Sequence, residues 1–485
     1  MVFTSVSFGI FFPIAVIIYF ILPQDKKRLR LMWLLASSYY FYMCGGPEYA
    51  ALLLLSTVIT YLGALGLKGR KAVFVITLVL NFFILFLFKY FNFFCETFEI
   101  DTGLKILLPV GISFYIFKSA GYLIDVYRGK TEPERDFFRY ALFVSFFPEL
   151  LSGPISRAPK VLPQFDEVHT FDYERIRNGL FRMLWGYFLK LVIVSRLSIL
   201  DNLVFDNYSS ANAWQLIIAS VVFSIEIYCD FMSYSEIAIG AGQVIGIELS
   251  ENFRQPFLAG TLSDLWRRWH MSLMSWFKDY LYIPLGGSRK GLARKYLNVL
   301  IVFTISGLWH GAAFTYILWG FLSGLLQIIG DATAGIRRRV LDLSPVKGNI
   351  AGRVHFVYSR LMTFLLFTFT TIFFRAPDIP TAFSIIEKIF TGLTPGVIMS
   401  TDVRELGLGT LNLCIALFMV LILIIADILK EKTGETIVFI TKKDWYIRWA
   451  VYFFFTCSIL LSANIGAAKF IYFEFKRFFG LKPSE

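Results

Sequence analysis

Apolar runs close to twenty residues long, separated by short charged loops, recur along the whole chain and predict an all-α polytopic membrane protein. Residues 5–22 lack a positive stretch in front and are followed by Lys26-Lys27-Arg28-Leu29-Arg30, which predicts an uncleaved first span with the N-terminus outside. Residues 31–43 and 49–67 read as a hairpin whose tip, Gly45-Gly46-Pro47-Glu48, has no basic residue and whose far end meets Lys68, Arg70 and Lys71. Residues 72–98 then cross outward to Glu96, Glu99 and Asp101, and residues 106–127 return to Arg128, Lys130, Arg135 and Arg139. A further outward run ends near Leu200, residues 214–228 come back, residues 296–330 are long enough for a hairpin, and three runs at 355–374, 408–428 and 449–465 follow. The sum is roughly ten to eleven transmembrane helices.

Three stretches break this rhythm. Residues 140–155 are apolar but short, contain Pro148 and Gly153-Pro154, and have basic flanks on both sides, so they predict a re-entrant or interfacial segment. Residues 230–246 are polar for a span; Asp230 either lines a site or bonds a neighbouring helix, and Gly240, Gly242 and Gly246 miss the dinucleotide-binding spacing. The third stretch, 252–311, organises the chain. With Ser263 as N-cap, about 100° per residue puts Trp266, Trp269, His270, Leu273, Trp276, Phe277 and Tyr280 on one face and Arg267, Arg268, Lys278 and Asp279 opposite. That helix suits either the membrane surface or packing on its own protein, where His270 is a satisfied core histidine. After the basic loop, residues 296–309 carry no ionisable side chain except tyrosine. A rise of about 1.5 Å per residue therefore places His310 roughly 20 Å from Arg294-Lys295, near a hairpin apex inside the hydrocarbon layer. A titratable group at that depth marks a pathway or a site, the alternative being a histidine bonded to a backbone carbonyl between helices.

Composition agrees with the pattern: 56% of the 485 residues are hydrophobic, 17% are charged, and the mean hydropathy is +0.63. No hydrophilic stretch is long enough for a separate soluble domain, so 1–485 reads as one integral-membrane domain with 252–330 as its core segment. The net charge of +12 belongs to cytoplasmic loops facing membrane lipids rather than to a nucleic-acid surface. Cys44, Cys95, Cys229, Cys414 and Cys457 are scattered singly, without metal or disulfide spacing, and no metal site is expected.

At Arg267-Arg268-Trp269-His270-Met271-Ser272-Leu273 and Trp309-His310-Gly311 the chain resembles the membrane-bound O-acyltransferase superfamily, in its alginate O-acetyltransferase branch. Leu108-Pro109-Val110-Gly111, Phe146-Phe147-Pro148, Ser152-Gly153-Pro154-Ile155, Asp230-Phe231, Asp279-Tyr280-Leu281-Tyr282-Ile283-Pro284-Leu285-Gly286-Gly287, Phe374-Arg375-Ala376 and Phe470-Ile471-Tyr472-Phe473 match that branch in order. The closing Phe-Ile-Tyr-Phe favours it over the related teichoic-acid D-alanylation branch. Lys118 and Glu149 depart from the pattern, each standing where it has glutamine, and Met232-Ser233 replaces a small Ser-Gly pair.

The resemblance implies transfer of an acyl group, acetyl above all, from a cytosolic thioester such as acetyl-CoA toward a hydroxyl of an extracytoplasmic polysaccharide, by way of a partner extracellular acyltransferase and with no permanently bound cofactor. It implies His310 as general base, because neutral imidazole accepts a proton at physiological pH, and His270 as orienter of the thioester or donor to the oxyanion. Trp269, Trp309, Lys118 and Asp230 are cavity-lining candidates. Arg289, Lys290, Arg294 and Lys295 either meet the phosphates of CoA at the cytosolic mouth or simply obey the positive-inside rule. Rival readings are a teichoic-acid D-alanyl transfer protein and a lipid-linked-sugar transporter. The absence of an internal repeat weakens the transporter.

Overall fold

The computed structural model describes residues 1–104, 106–342, 349–400, 406–434 and 437–462, and among these every regular element is helical. The branch residues 470–473 lie outside the described residues. Among the described residues, seven helices are long and apolar enough to cross a membrane: Pro47–Gly66, Lys71–Thr97, Ala213–Ile245, Phe314–Ala332, Gly352–Arg375, Thr410–Thr433 and Trp445–Ser462. Val6–Ile21 is apolar but shorter, at 16 residues, and the chain is a multi-pass membrane protein.

The residues gather into two compact units, one of Met1–Phe188, Met232–Glu251 and 437–462, the other of Leu189–Phe231 and the described part of 252–434. In the first unit, polar side chains join helices where apolar ones gain little from meeting lipid. Buried Asn81 accepts from the Ser56 hydroxyl at 2.7 Å and donates to Thr60 Oγ1 at 3.0 Å, tying Lys71–Leu85 to Pro47–Gly66. Arg182 donates to Glu236 at 2.7 Å and to Glu251 at 2.9 Å. Gly240, whose spacing carried no nucleotide signature, is a packing residue: a Cβ there would lie 2.5 Å from the Gly179 carbonyl oxygen. The short apolar stretch 140–155 has a broken backbone, helical over Phe137–Ser145 and Phe147–Leu150 and irregular beyond.

In the second unit the 296–330 hairpin forms as the charge pattern predicts. Leu292–His310 ends at its histidine, three residues turn the chain, and Phe314–Ala332 runs back. The two helices touch backbone to backbone. A Cβ on Gly307 would stand 2.1 Å from the Tyr316 carbonyl oxygen, and one on Gly320 would stand 2.3 Å from that of Phe303. Neither oxygen belongs to a side chain that can swing away, so Gly307→Ala is expected to force the helices apart at a cost of about 1–3 kcal/mol. Unfolding of the detergent-solubilised variant measures it, and an unchanged midpoint would contradict the close approach.

Two sequence expectations need correction. Ala213–Ile245 is one helix of 33 residues, not a span followed by a separate polar segment. The stretch after 262 is not one helix capped by Ser263: Thr261 caps it, accepting from the Asp264 N–H at 3.1 Å, and Leu262–Arg268 stops before a second helix begins at Met271. Trp266, Trp269 and Trp276 are all buried within the protein, which decides for packing on its own chain over the lipid boundary.

Candidate functional site

The second unit brings His270 and His310 together. His310 closes its helix, with Gly311 extended behind it, and its ring is caged edge-on by Trp309 at 5.1 Å, Trp319 at 5.1 Å and Phe374 at 5.5 Å between centroids. His270 sits in the break between Leu262–Arg268 and Met271–Phe277, its ring 4.4 Å from that of Phe231 and 5.9 Å from that of Trp309. Trp309 therefore touches both imidazoles. His270 is 1% exposed and His310 is 9%. Burial, and after it the neighbouring His310, hold the His270 imidazole well below the usual histidine range, so it stays neutral at physiological pH. Two adjacent imidazoles, one of them held neutral, among aromatic walls can accept a proton from a hydroxyl and offer an N–H to a nearby oxygen.

The other candidates fall in different places. Trp269 packs against Phe253 at 5.2 Å and Phe367 at 5.0 Å, so it walls the segment carrying His270. Asp230 forms a buried ion pair with Lys190 at 2.5 Å. Lys118, in the first unit, pairs with Glu149 at 2.5 Å. The basic loop lies at the far end of the His310 helix. Arg289 and Lys290 are exposed, the Arg294 guanidinium donates to the Leu285 carbonyl at 3.2 Å, and Lys295 reaches Asp331 at 2.5 Å. Buried Asn298 holds this loop to the helix, donating to the Gly287 carbonyl at 2.9 Å.

Sequence reasoning missed Phe374, Trp319 and Phe231 as neighbours of the histidines. Phe374 was legible only as part of Phe374-Arg375-Ala376, and the structure explains the arginine beside it. Arg375 ends its helix and is bonded to Asp201 at 2.7 Å and Asn202 at 2.9 Å, which fixes the helix terminus that places Phe374 on His310.

Residues 133–374, which include both histidines, match the family model of the membrane-bound O-acyltransferase family. The probable alginate O-acetylase of Pseudomonas aeruginosa is 34% identical over 411 residues, covering 81% of this chain and 75% of that protein. The peptidoglycan O-acetyltransferase of Helicobacter pylori is 32% identical over 416 residues, 78% of this chain and 77% of that one. The teichoic acid D-alanyltransferase of Bacillus subtilis is 26% identical over 231 residues, 45% of this chain and 58% of that one. A histidine caged at the turn of a helical hairpin with a second histidine beside it, in a multi-pass chain alignable over most of its length with O-acetylating proteins, leads to one conclusion: the chain belongs to the membrane-bound O-acyltransferase family and is an acyltransferase.

Proposed function

We propose that this protein moves an acetyl group from a cytosolic thioester, acetyl-CoA in the first instance, to a hydroxyl destined for an extracytoplasmic polysaccharide. It does so in the cytoplasmic membrane, with its N-terminus outside and 252–330 as its catalytic segment. The observation that carries this reading is the meeting of His270 and His310 around Trp309. His310 takes the hydroxyl proton as the oxygen attacks the thioester carbonyl. Collapse of the tetrahedral intermediate breaks the C–S bond, and the departing sulfur recovers that proton from the imidazolium. Neutral His270 presents an N–H to the oxyanion. Arg289 and Lys290, exposed at the opposite end of the His310 helix, meet the CoA phosphates.

The longer coverage and higher identity of the O-acetylating relatives favour acetyl over D-alanyl. A partner extracellular acyltransferase relays the acetyl group to the polymer. The test uses the full chain in liposomes with acetyl-CoA labelled in the acetyl group and an oligosaccharide bearing free hydroxyls as acceptor. Release of free thiol with loss of label from the thioester is expected. Intact acetyl-CoA alongside movement of a lipid-linked sugar across the bilayer would replace the enzyme reading with transport.

A further inference from the structure

His270 has a backbone that L-residues avoid, φ 44° and ψ 52°, in the left-handed region. It also occupies the N-cap position of Met271–Phe277, yet its side chain makes no capping hydrogen bond. Both oddities are resolved by a residue 18 positions earlier in the chain. The Asn252 carbonyl accepts from the Met271 N–H at 2.9 Å, and its side-chain oxygen accepts from the Ser272 N–H at 3.3 Å. These are the first two N–H groups of the helix, both without a partner inside it, and the second is one that a cap side chain ordinarily satisfies. The segment is further pinned by Arg254, whose N–H donates to the Arg268 carbonyl at 2.9 Å on the other side of the break. Asn252 is wholly buried, and Phe253 beside it wedges between Phe231 and Trp269, each at 5.2 Å.

We infer that Asn252 is a positioning residue for acyl transfer: it caps the Met271–Phe277 helix from outside, so that His270 holds its left-handed turn and keeps its imidazole for the site. A left-handed non-glycine residue persists only where its surroundings over-determine it, and here they do so beside a histidine assigned to the reaction. Had His270 capped its own helix, its ring would be turned to the backbone N–H groups and away from Phe231 and Trp309. The inference rests on the role of His270 under the proposed function and adds to it the group that aims the ring.

The test measures thiol release from acetyl-CoA by the full chain in liposomes, for Asn252→Ala, Asn252→Asp and His270→Ala. Asn252→Ala is expected to lower kcat about 10- to 100-fold at unchanged KM for acetyl-CoA and with the detergent unfolding midpoint little moved. Asn252→Asp, which keeps an acceptor oxygen suited to a helix N-terminus, is expected to recover most of that loss. Wild-type kcat in Asn252→Ala overturns the inference, as does a loss that Asn252→Asp shares in full or one that tracks lowered stability. If Asn252→Ala does not fold, an inactive but folded Asn252→Asp overturns it alone. Full activity in His270→Ala removes the role of His270, and the inference with it. Loss in His270→Ala beside full activity in Asn252→Ala removes only the positioning.

Discussion

His310→Ala is expected to reduce thioester turnover by about 10³–10⁴-fold, the upper part of the range for loss of a general base, while the protein still folds. The size follows from what no neighbour can replace. Trp309, Trp319 and Phe374 pack the ring from three sides and none of them accepts a proton, and His270, held well below the usual histidine range, is too weak a base to take over, so removing the His310 imidazole leaves an attacking hydroxyl without an effective base. Folding should survive, because the hairpin is held by its glycine contacts and by the anchored end of the Asn349–Arg375 helix rather than by the histidine. His310→Gln separates the two roles of the side chain. It refills much of the cage with a polar group that is not basic, so it should be as inactive as alanine. Thiol release in liposomes, with unfolding midpoints measured in parallel, checks both variants. Turnover within about tenfold of wild type in either would move the general base elsewhere.

The hairpin at His310 was legible because two local signals agreed, a long run without charge and basic residues at its ends. The break at His270 was not. Trp266, Trp269, Leu273 and Trp276 keep helical spacing straight through it, and their burial on one side satisfies the same periodicity whether or not the helix continues. What breaks the run is an extended Trp269 followed by a left-handed His270, supported by Asn252 from a segment that carries no periodicity of its own. Pattern reading sees which face a side chain occupies; it does not see a hydrogen bond brought in from outside the element. Charge partners were hidden for the same reason. Asp230 read as a bare acid in a span, and only folding brings Lys190 of the Leu189–Val194 turn to it, 40 positions earlier in the chain. The alternatives left open for Trp266, Trp269 and Trp276, lipid boundary or protein interior, have one amphipathic signature and were separable only by their burial.

The largest stability effect is expected in the first unit, at a buried ion pair. Lys118 and Glu149 meet each other: Nζ lies 2.5 Å from Oε2, with the side chains 4% and 1% exposed. Ser156 donates its hydroxyl to the other carboxylate oxygen, and the ammonium stands 4.5 Å above the centre of the Phe143 ring. The cation is thus neutralised where it stands. Such a pair contributes little net stability, because desolvation of both ions offsets their attraction, but a lone survivor is an uncompensated buried charge. Lys118→Gln and Glu149→Gln should therefore each cost about 3–5 kcal/mol. The double variant, whose two amides can hydrogen-bond to each other, should return to within about 1 kcal/mol of wild type. Equilibrium unfolding in detergent of the four proteins closes the cycle, and the coupling between the sites should approach the sum of the single losses in magnitude, with opposite sign. Single variants of near wild-type stability, or a double variant as damaged as the two singles added together, would show that the pair does not hold this part of the fold as the contact distances require. The same variants assayed for thiol release then separate stability from specificity. A double variant restored in folding but altered in the hydroxyl it acetylates would give these two residues a part in acceptor choice.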